Sequence, residues 1–253
     1  MQADDGGRTR DLRLGKPTLY QLSYIREGAP ESSLWGTVNG SRAPRLQRAA
    51  AMARQLVYLT RFPPRVGLFY LRCLALAALT RDRWTLQAVT RPRELSRLLE
   101  LAGAGRLVVE DGTASAWTAA ALALADPART VITLDPEVRA QRDRYLGLLD
   151  LRTRSRIRLL QARTEEGPAA LRASKPPVVD VLFLDGDHGR EGAIAAFAAW
   201  RPVLADDAVV AFHDYGDPAW PGVTEAVAEL GLRGEVRGTL FAARVPAPEG
   251  DAV

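Results

Sequence analysis

Two short polar runs carry the groups best suited to chemistry. Asp185-Gly-Asp-His188 directly follows the apolar run Val-Asp-Val-Leu-Phe-Leu, and His213-Asp-Tyr215 directly follows Ala208–Phe212. Gly186 permits a sharp bend that would turn both aspartates of the first run toward one crevice. Carboxylates beside an imidazole predict a site for magnesium or manganese, or a general base that takes a proton from a substrate hydroxyl. The alternatives are a solvated Asp-Gly turn and a hydrogen-bonded histidine at a strand end.

Two further features predict a cofactor that contains a nucleoside. Glu110-Asp-Gly-Thr-Ala-Ser-Ala116 has small residues at alternate positions, as a loop needs where a ligand approaches its backbone. The free N–H groups of the following helix could bind a polar or anionic ligand. Asp135 lies about 20 residues further on, where an acid can accept hydrogen bonds from ribose hydroxyls. The alternatives are an ordinary strand-to-helix turn and an aspartate that caps a helix begun by Pro136.

These residues require a sheet whose strand ends meet at one edge. From Arg106 onward, short apolar runs alternate with helix-length segments, which predicts a parallel sheet buried on both faces. Right-handed crossovers make such an α/β sheet doubly wound, with ligands beyond the carboxyl ends of the strands. The last two runs are separated by Gly238 alone, so the last strand is predicted to be antiparallel. The seven predicted strands are Leu107–Glu110, Thr130–Leu134, Ile157–Leu160, Val178–Leu184, Ala208–Phe212, Glu235–Arg237 and Thr239–Val245.

The preceding residues predict a helical extension. Helical periodicity runs from Leu46 to the prolines at 63–64, from Val66 to Leu79, and from Arg93 to Leu101. We divide the chain into a disordered tail (1–17), a helical extension (18–102), a cofactor-binding domain (103–246) and a loose tail (247–253). The extension could serve as a lid, an acceptor-binding element or the contact of a homo-oligomer.

The segment 42–81 combines arginines with apolar residues and holds no acid. Such a segment could contact an anionic membrane surface or a phosphorylated acceptor. A solvated arginine face over an apolar packing stripe is the favoured interpretation.

Composition excludes several classes of protein. The 253 residues, 47% hydrophobic and 25% charged, are typical of a globular chain, and Arg72 interrupts the longest apolar run. One cysteine, Cys73, excludes a disulfide framework. The N-terminus lacks the apolar stretch of a secretory signal, so the cytoplasm is the expected compartment. Nearly all positive charge behind the net +4 is arginine, and aromatic residues make up only 7% of the chain, so no nucleic-acid partner is predicted.

Four motifs occur in order: Val-Val-Glu-Asp-Gly-Thr-Ala-Ser-Ala-Trp, Thr-Leu-Asp-Pro, Val-Asp-Val-Leu-Phe-Leu-Asp-Gly-Asp-His and Phe-His-Asp-Tyr. Over residues 104–245 the chain resembles the S-adenosylmethionine-dependent methyltransferases of the seven-stranded Rossmann-like fold. The most similar branch is the small-molecule O-methyltransferases related to macrolide-sugar and cephalosporin-pathway enzymes. The resemblance implies methyl transfer to a hydroxyl of a small-molecule acceptor.

The resemblance also assigns residues to roles. It implies that Glu110, Gly112 and Thr113 hold the methionine part of the cofactor, that Asp135 binds the ribose, and that Ala162 and Arg163 contact the adenine. Asp185 belongs to the same cofactor-binding set. The resemblance implies a magnesium site of Asp185, His213 and Asp214, with Asp187 as the general base. His213 stands where metal-dependent members have an acid, which makes His188 or His213 a candidate metal-free base. Ala114 and Ala116 stand where the family usually has glycine.

Two other functions fit some of these residues. An NAD(P)-dependent oxidoreductase also uses a small-residue turn followed by an acid, but the acids after the fourth strand and the antiparallel last strand argue against it. A catalytically degenerate cofactor-binding partner subunit would keep the same motifs. Acceptor specificity is expected to lie in residues 18–102 and in the loops after the fourth and fifth strands.

Overall fold

A computed structural model describes residues 57–171 and 178–246, together with Gln55. Their strands form one sheet in the order β3-β2-β1-β4-β5-β7-β6. Neighbouring strands are parallel, except that β7 is antiparallel to both β5 and β6. This confirms the predicted mostly parallel sheet with an antiparallel last strand. The strands are β1 (Leu107–Asp111), β2 (Thr130–Leu134), β3 (Ile157–Leu160), β4 (Val179–Leu184), β5 (Leu204–Phe212), β6 (Glu235–Arg237) and β7 (Leu240–Val245).

Helices lie on both faces of the sheet. The helices are α1 (Pro64–Thr80), α2 (Arg83–Ala88), α3 (Pro92–Ala102), α4 (Trp117–Ala125), α5 (Ala140–Leu146), α6 (Leu151–Arg154), α7 (Gly167–Leu171), α8 (Arg190–Trp200) and α9 (Pro221–Glu229). Prolines at the first positions of α1, α3 and α9 favour helix initiation, because their missing N–H would be unpaired there in any case.

The sheet separates two apolar cores, which is why its central strands are apolar at almost every position. In β4, Val181 and Phe183 face one core and Leu182 and Leu184 face the other. The first core holds residues of α1, α3 and α4, and the second holds residues of α7, α8 and α9. Strand β4 and its end are thereby fixed from both sides.

Arg129 joins the helical region to the sheet. Its side chain is fully buried, and its guanidinium donates hydrogen bonds to the carbonyls of Ala102, Gly103, Gly105 and Leu122 at 2.6–3.3 Å. The carbonyls at 102 and 103 belong to the C-terminal end of α3, where carbonyls lack helical partners. One side chain therefore fixes the end of α3 against the start of β1.

Two local differences from the sequence prediction have clear causes. Helix α2 was not predicted, because six residues are too few to show periodicity; Asp82 starts it by accepting the Thr85 N–H at 3.1 Å. Strand β5 begins at Leu204 instead of Ala208. A register shift opposite Val179–Val181 allows the earlier pairing, with Asp207 at a positive φ of 58°.

Several sequence predictions lie outside the described residues. They are the tails 1–17 and 247–253, the lead-in 18–44, and most of the helix predicted from Leu46. The arginines of the segment 42–54 also fall there. Within the described residues, α1 exposes Leu68, Leu71 and Leu79. No helix in the described part of the chain has the length and apolar character needed to span a bilayer.

Candidate active site

The carboxyl ends of β1, β4 and β5 meet at one edge of the sheet. Backbone hydrogen bonds extend the parallel ladders past the strand ends: the Asp185 N–H donates to the Asp111 carbonyl at 2.8 Å, and the His213 N–H donates to the Leu184 carbonyl at 2.9 Å. The polar runs singled out in the sequence therefore converge on this edge.

A crevice opens between the ends of β1, β2 and β4. Two of the sequence-predicted cofactor residues, Gly112 and Asp135, lie in its wall. The lining residues are Asp111, Gly112, Asp135, Pro136, Glu137, Arg139 and Gly186.

The loop after β1 has the backbone shape of a glycine-rich turn. Gly112 has a φ of 97°, and a Cβ there would lie 2.3 Å from the Asp185 carbonyl oxygen. Glycine is therefore required for β1 and β4 to end so close together. Ala114 and Ala116 also adopt positive φ values, 45° and 64°. The two alanines hold a left-handed conformation that glycine adopts without strain, at a cost of roughly 1–2 kcal/mol each.

Asp135 fixes the opposite wall of the crevice. Its Oδ2 accepts hydrogen bonds from the Ala114 N–H (2.9 Å) and from Nη2 of Arg142 (3.0 Å), and its Oδ1 accepts the Glu137 N–H (2.8 Å). Arg142, also buried, donates through Nε to the Ala114 carbonyl at 3.2 Å. Asp135 does not cap α5, which begins five residues later at Ala140. Arg142 was missed in the sequence because an arginine within a helix gives no signal of burial.

Glu110 lies beneath the crevice in a buried hydrogen-bonded chain. The Oγ1 atoms of Thr113 and Thr133 are 2.7 Å apart, and the Thr133 hydroxyl donates to the Glu110 carboxyl. Burial raises the pKa of Glu110 to about 8. The Thr113 hydroxyl is used in this series of hydrogen bonds and does not face the crevice. A contact between Thr113 and the methionine part of the cofactor would therefore involve its backbone.

Asp111 points to the other face of the sheet. Burial and the negative charge of Glu165 raise the pKa of Asp111 to about 7. Its Oδ2 has no hydrogen-bond partner among the described residues. Gly186 packs directly on this carboxyl, since a Cβ on Gly186 would lie 2.7 Å from Oδ2.

Beside the crevice, Asp185, His188, His213 and Asp214 form what we call the acid–histidine cluster. Nε2 of His188 lies 3.0 Å from Oδ2 of Asp214 and 3.8 Å from Oδ1 of Asp185. Nδ1 of His213 lies 3.0 Å from Oδ1 of Asp185 and 3.3 Å from Oδ1 of Asp214. Trp220 stacks on the His188 ring with centroids 4.5 Å apart.

The two imidazoles and the two carboxylates change each other's ionisation. Burial alone would lower the pKa of His188, but its hydrogen bonds to Asp185 and Asp214 raise it to about 9. Burial likewise opposes the charge on His213, and the same two carboxylates raise its pKa well above the usual value. The histidine charges hold the pKa of Asp214 well below its usual range, against the effect of burial. Both imidazoles therefore favour the charged form more strongly than a free histidine does.

A residue from the helical region completes this cluster. Glu94, in the first turn of α3, is buried, and its Oε2 lies 3.2 Å from Nε2 of His213. Burial would raise the pKa of Glu94, but the hydrogen bond and positive charge of His213 lower it. Sequence reasoning missed Glu94 because a glutamate three residues into a helix is typical of a capping box, which it also forms with the Arg91 N–H (3.3 Å).

The structure does not bring Asp187 into the cluster. Its Oδ1 accepts the Gly189 N–H at 2.7 Å. Gly192 must be small here, since a Cβ on it would lie 2.2 Å from Oδ2 of Asp187. The carboxylate of Asp187 therefore lies over the first turn of α8.

Ala162 and Arg163 lie just beyond β3, at the side of the crevice. Ala162 packs against the second core, and the Arg163 N–H donates to Glu166 at 3.0 Å. Neither residue belongs to the lining of the crevice described above, so their contact with an adenine stays a prediction.

Three donors of the cluster have spacing suited to a cation. One ligand atom from each of Asp185, His188 and Asp214 can be chosen so that all lie within 4.8 Å of one another. Two carboxylates with one imidazole are the donor set from which the sequence predicts magnesium or manganese. In this set His188 takes the place predicted for His213, whose Nε2 faces Glu94.

Comparison with known proteins agrees with this geometry. Residues 109–215 match a protein-family model described as a methyltransferase domain. The match confirms the resemblance predicted from the four sequence motifs. No curated protein sequence matches the chain.

Solved structures of similar fold include several O-methyltransferases. CalS11, a TDP-rhamnose 3'-O-methyltransferase of calicheamicin biosynthesis, is 19% identical, with a TM-score of 0.52 over 87% of this chain and 100% of that one. TomG from Streptomyces achromogenes, an O-methyltransferase of tomaymycin synthesis in complex with SAM, is 16% identical, with a TM-score of 0.53 over 69% and 89%. An O-methyltransferase from Bacillus cereus in complex with SAH is 14% identical, with a TM-score of 0.53 over 70% and 90%. At these identities the likeness is one of fold.

Proposed function

We propose that this chain transfers the methyl group of S-adenosylmethionine to a hydroxyl of a small molecule of the sugar or natural-product type. The observation that carries the proposal is the meeting of Gly112, Asp135 and Asp185 at one edge of a methyltransferase-like sheet, beside the acid–histidine cluster. The antiparallel β7 and the methyltransferase-domain match favour methyl transfer over hydride transfer.

The crevice has the chemistry to hold a nucleoside. Oδ1 of Asp135 accepts one hydrogen bond from a protein N–H and keeps acceptor capacity for a ribose hydroxyl. Among the structures of similar fold, TomG is in complex with SAM and the Bacillus cereus enzyme is in complex with SAH. Bound in this crevice, S-adenosylmethionine would supply an electrophilic methyl group on a sulfonium. CalS11, which has a similar fold, methylates the 3'-oxygen of TDP-rhamnose, and this supports a sugar hydroxyl as acceptor.

His188 is the base that this geometry favours. Asp214 fixes its imidazole at 3.0 Å, and Trp220 covers one ring face. In its neutral form, which becomes available as the pH approaches 9, the imidazole would take the proton of the acceptor hydroxyl while the oxygen gains the methyl group, so that a neutral thioether, a neutral ether and an imidazolium remain. Positioned proton transfer contributes about 10²–10⁴-fold, and alignment of the two reactants supplies much of the rest.

Cofactor binding and transfer can be measured separately. We expect SAH to raise the melting temperature of the protein and NAD⁺ to leave it unchanged, since only a ligand bound by the native state stabilises it. Radiolabelled methyl transfer from S-adenosylmethionine would be measured on TDP-rhamnose and a panel of other TDP-sugars and phenols. Stabilisation by NAD⁺ alone would favour an oxidoreductase. SAH binding without transfer to any acceptor would favour a degenerate partner subunit.

Two matched variants identify the base. We expect His188→Gln to lower kcat at least about 10²-fold with SAH affinity near that of the wild type. Asp187→Asn should keep most of the activity, because an asparagine Oδ1 can still accept the Gly189 N–H. The opposite result would make Asp187 the base, as the family resemblance implies.

A metal-assisted reaction is the second candidate, favoured by the donor spacing of Asp185, His188 and Asp214. These three side chains would hold a divalent cation, which would lower the pKa of the acceptor hydroxyl. Titration of the chelator-treated protein with Mn²⁺, followed by calorimetry, would measure binding directly. Binding that is lost in Asp214→Asn, together with loss of activity in chelator, would support the metal over a histidine base.

A further inference from the structure

The third carboxylate at the acid–histidine cluster comes from outside the sheet. Glu94 lies on α3, whereas the other members follow β4 and β5. Its side chain is 2% exposed, and its Oε2 lies 3.2 Å from Nε2 of His213. A buried carboxylate is costly unless its oxygens are hydrogen-bonded, so this placement requires partners on every side.

Glu94 is held in place by the turn between β6 and β7. Its Oε1 accepts hydrogen bonds from the N–H (3.0 Å) and the hydroxyl (3.1 Å) of Thr239. A Cβ on Gly238 would lie 2.4 Å from Oε1, so glycine is needed there to admit the carboxylate. Its Oε2 also accepts the Arg91 N–H at 3.3 Å. The carboxylate is therefore fixed before any ligand binds.

This anchor determines how His213 can sit. An imidazole has two nitrogens, and Nε2 of His213 faces Glu94 while Nδ1 faces Asp185 and Asp214 at 3.0 and 3.3 Å. Rotation of the ring would break the contact with Glu94. The orientation of His213 between the two carboxylates therefore depends on a helix that precedes the sheet in the chain.

We propose that Glu94 is a positioning residue for methyl transfer: by holding His213 between Asp185 and Asp214, it keeps the acceptor side of the site in reacting geometry. The proposal rests on the proposed function and assigns part of the site to the helical region. Because Glu94 touches neither the crevice nor its lining residues, its loss should affect turnover and not cofactor affinity.

The chain contains two histidines, which makes the first measurement direct. Protein labelled with ¹⁵N-histidine and saturated with SAH would show two imidazole spin systems, assigned with His188→Gln. Glu94→Gln keeps an oxygen for Thr239 and replaces the acceptor of His213 by an amide N–H. We expect Glu94→Gln to shift the His213 nitrogens and leave those of His188 nearly unchanged. Glu100→Gln, an exposed control on the same helix, should shift neither.

The second measurement is kinetic. With an acceptor that the wild type methylates, we expect Glu94→Gln to lower kcat at least about tenfold, with the SAH dissociation constant within about twofold. Added to His213→Gln, Glu94→Gln should cause little further loss, since residues that act through one contact are not additive. If Glu94→Gln does not fold, Glu94→Asp replaces it. The shorter side chain keeps the negative charge but moves it away from His213. The same histidine resonances and the same kcat would be measured.

The outcomes separate the two proposals. Unchanged His213 resonances in Glu94→Gln, or unchanged kcat with shifted resonances, would overturn the positioning role. A wild type that methylates no acceptor would count against the proposed function, while the resonances would still show whether Glu94 fixes His213.

Discussion

Replacing Glu110 by glutamine should stabilise the free protein, and the gain should grow with pH. Burial raises the pKa of Glu110 from its ordinary value of 4.5 to about 8. Between these values the folded protein keeps a proton that the unfolded chain releases, so stability falls as pH rises through this range. Glutamine cannot ionise, and its carbonyl oxygen can still accept the Thr133 hydroxyl.

The size of the effect follows from the two pKa values. One pKa unit corresponds to about 1.4 kcal/mol, so the rise of the Glu110 pKa from 4.5 to about 8 lowers the free energy of unfolding by roughly 5 kcal/mol once the carboxyl is fully ionised. Linkage gives an expected gain for Glu110→Gln of about 1 kcal/mol at pH 5, about 3 kcal/mol at pH 7 and about 5 kcal/mol at pH 9. Other titrating groups are shared with the wild type and largely cancel in the difference.

Urea unfolding of wild type and Glu110→Gln at pH 5, 7 and 9 would measure this gain. Glu225→Gln, the same substitution at an exposed position, is the control and should change stability little at any pH. A difference between Glu110→Gln and wild type that stays constant with pH, or a less stable variant at pH 9, would refute the reasoning. The variant should also bind SAH less tightly if Glu110 holds the methionine part of the cofactor.

Three further predictions follow from the same edge of the sheet. The pKa of His188 in the free protein is raised to about 9, because its hydrogen bonds to the carboxylates of the cluster outweigh burial. If His188 is the base, kcat/KM should rise about tenfold per pH unit below pH 8.5 and level off above about 9. A flat profile from pH 6.5 would contradict this. Asp135→Asn leaves Arg142 buried without its ion partner, so the free energy of unfolding should fall by about 3–5 kcal/mol and calorimetry should show weaker SAH binding; an unchanged unfolding midpoint would argue against it. Gly112→Ala combines a left-handed conformation with a steric clash at the Asp185 carbonyl, so the free energy of unfolding measured with urea should fall by at least about 2 kcal/mol. A variant as stable as the wild type would show that the loop can change conformation to accept a side chain.

The strands were predictable because a parallel sheet covered on both faces needs apolar residues at nearly every position. The predicted bounds of β2, β3 and β6 coincide with those in the structure. Helix α2 was not predictable, because six residues show no periodicity, and its N-cap Asp82 is buried by a contact with the Tyr145 hydroxyl, 63 residues away in the chain. Local periodicity carries no information about such contacts.

The convergence of the polar runs was predictable for a topological reason: parallel strands end at one edge, whatever their side chains. The contacts that each side chain makes at that edge were not predictable. Asp187 and His188 are neighbours in sequence, and a single turn decides that His188 enters the cluster while Asp187 binds the first turn of α8. Glu94, which contacts the cluster, lies on α3, before the first strand of the sheet, whereas the four cluster residues follow β4 and β5. Its pattern predicts a helix start and gives no sign of the histidine it contacts.

The buried guanidinium of Arg129 has a consequence for engineering. Because it binds carbonyls on both sides of the boundary between α3 and β1, the two regions should unfold in one cooperative transition. In a fragment that starts at residue 104, the buried Arg129 guanidinium would lose its hydrogen bonds to the carbonyls of Ala102 and Gly103. Chimeras designed to test whether the helices determine acceptor specificity should therefore move the helices together with Arg129 and its loop, and not cut the chain between α3 and β1.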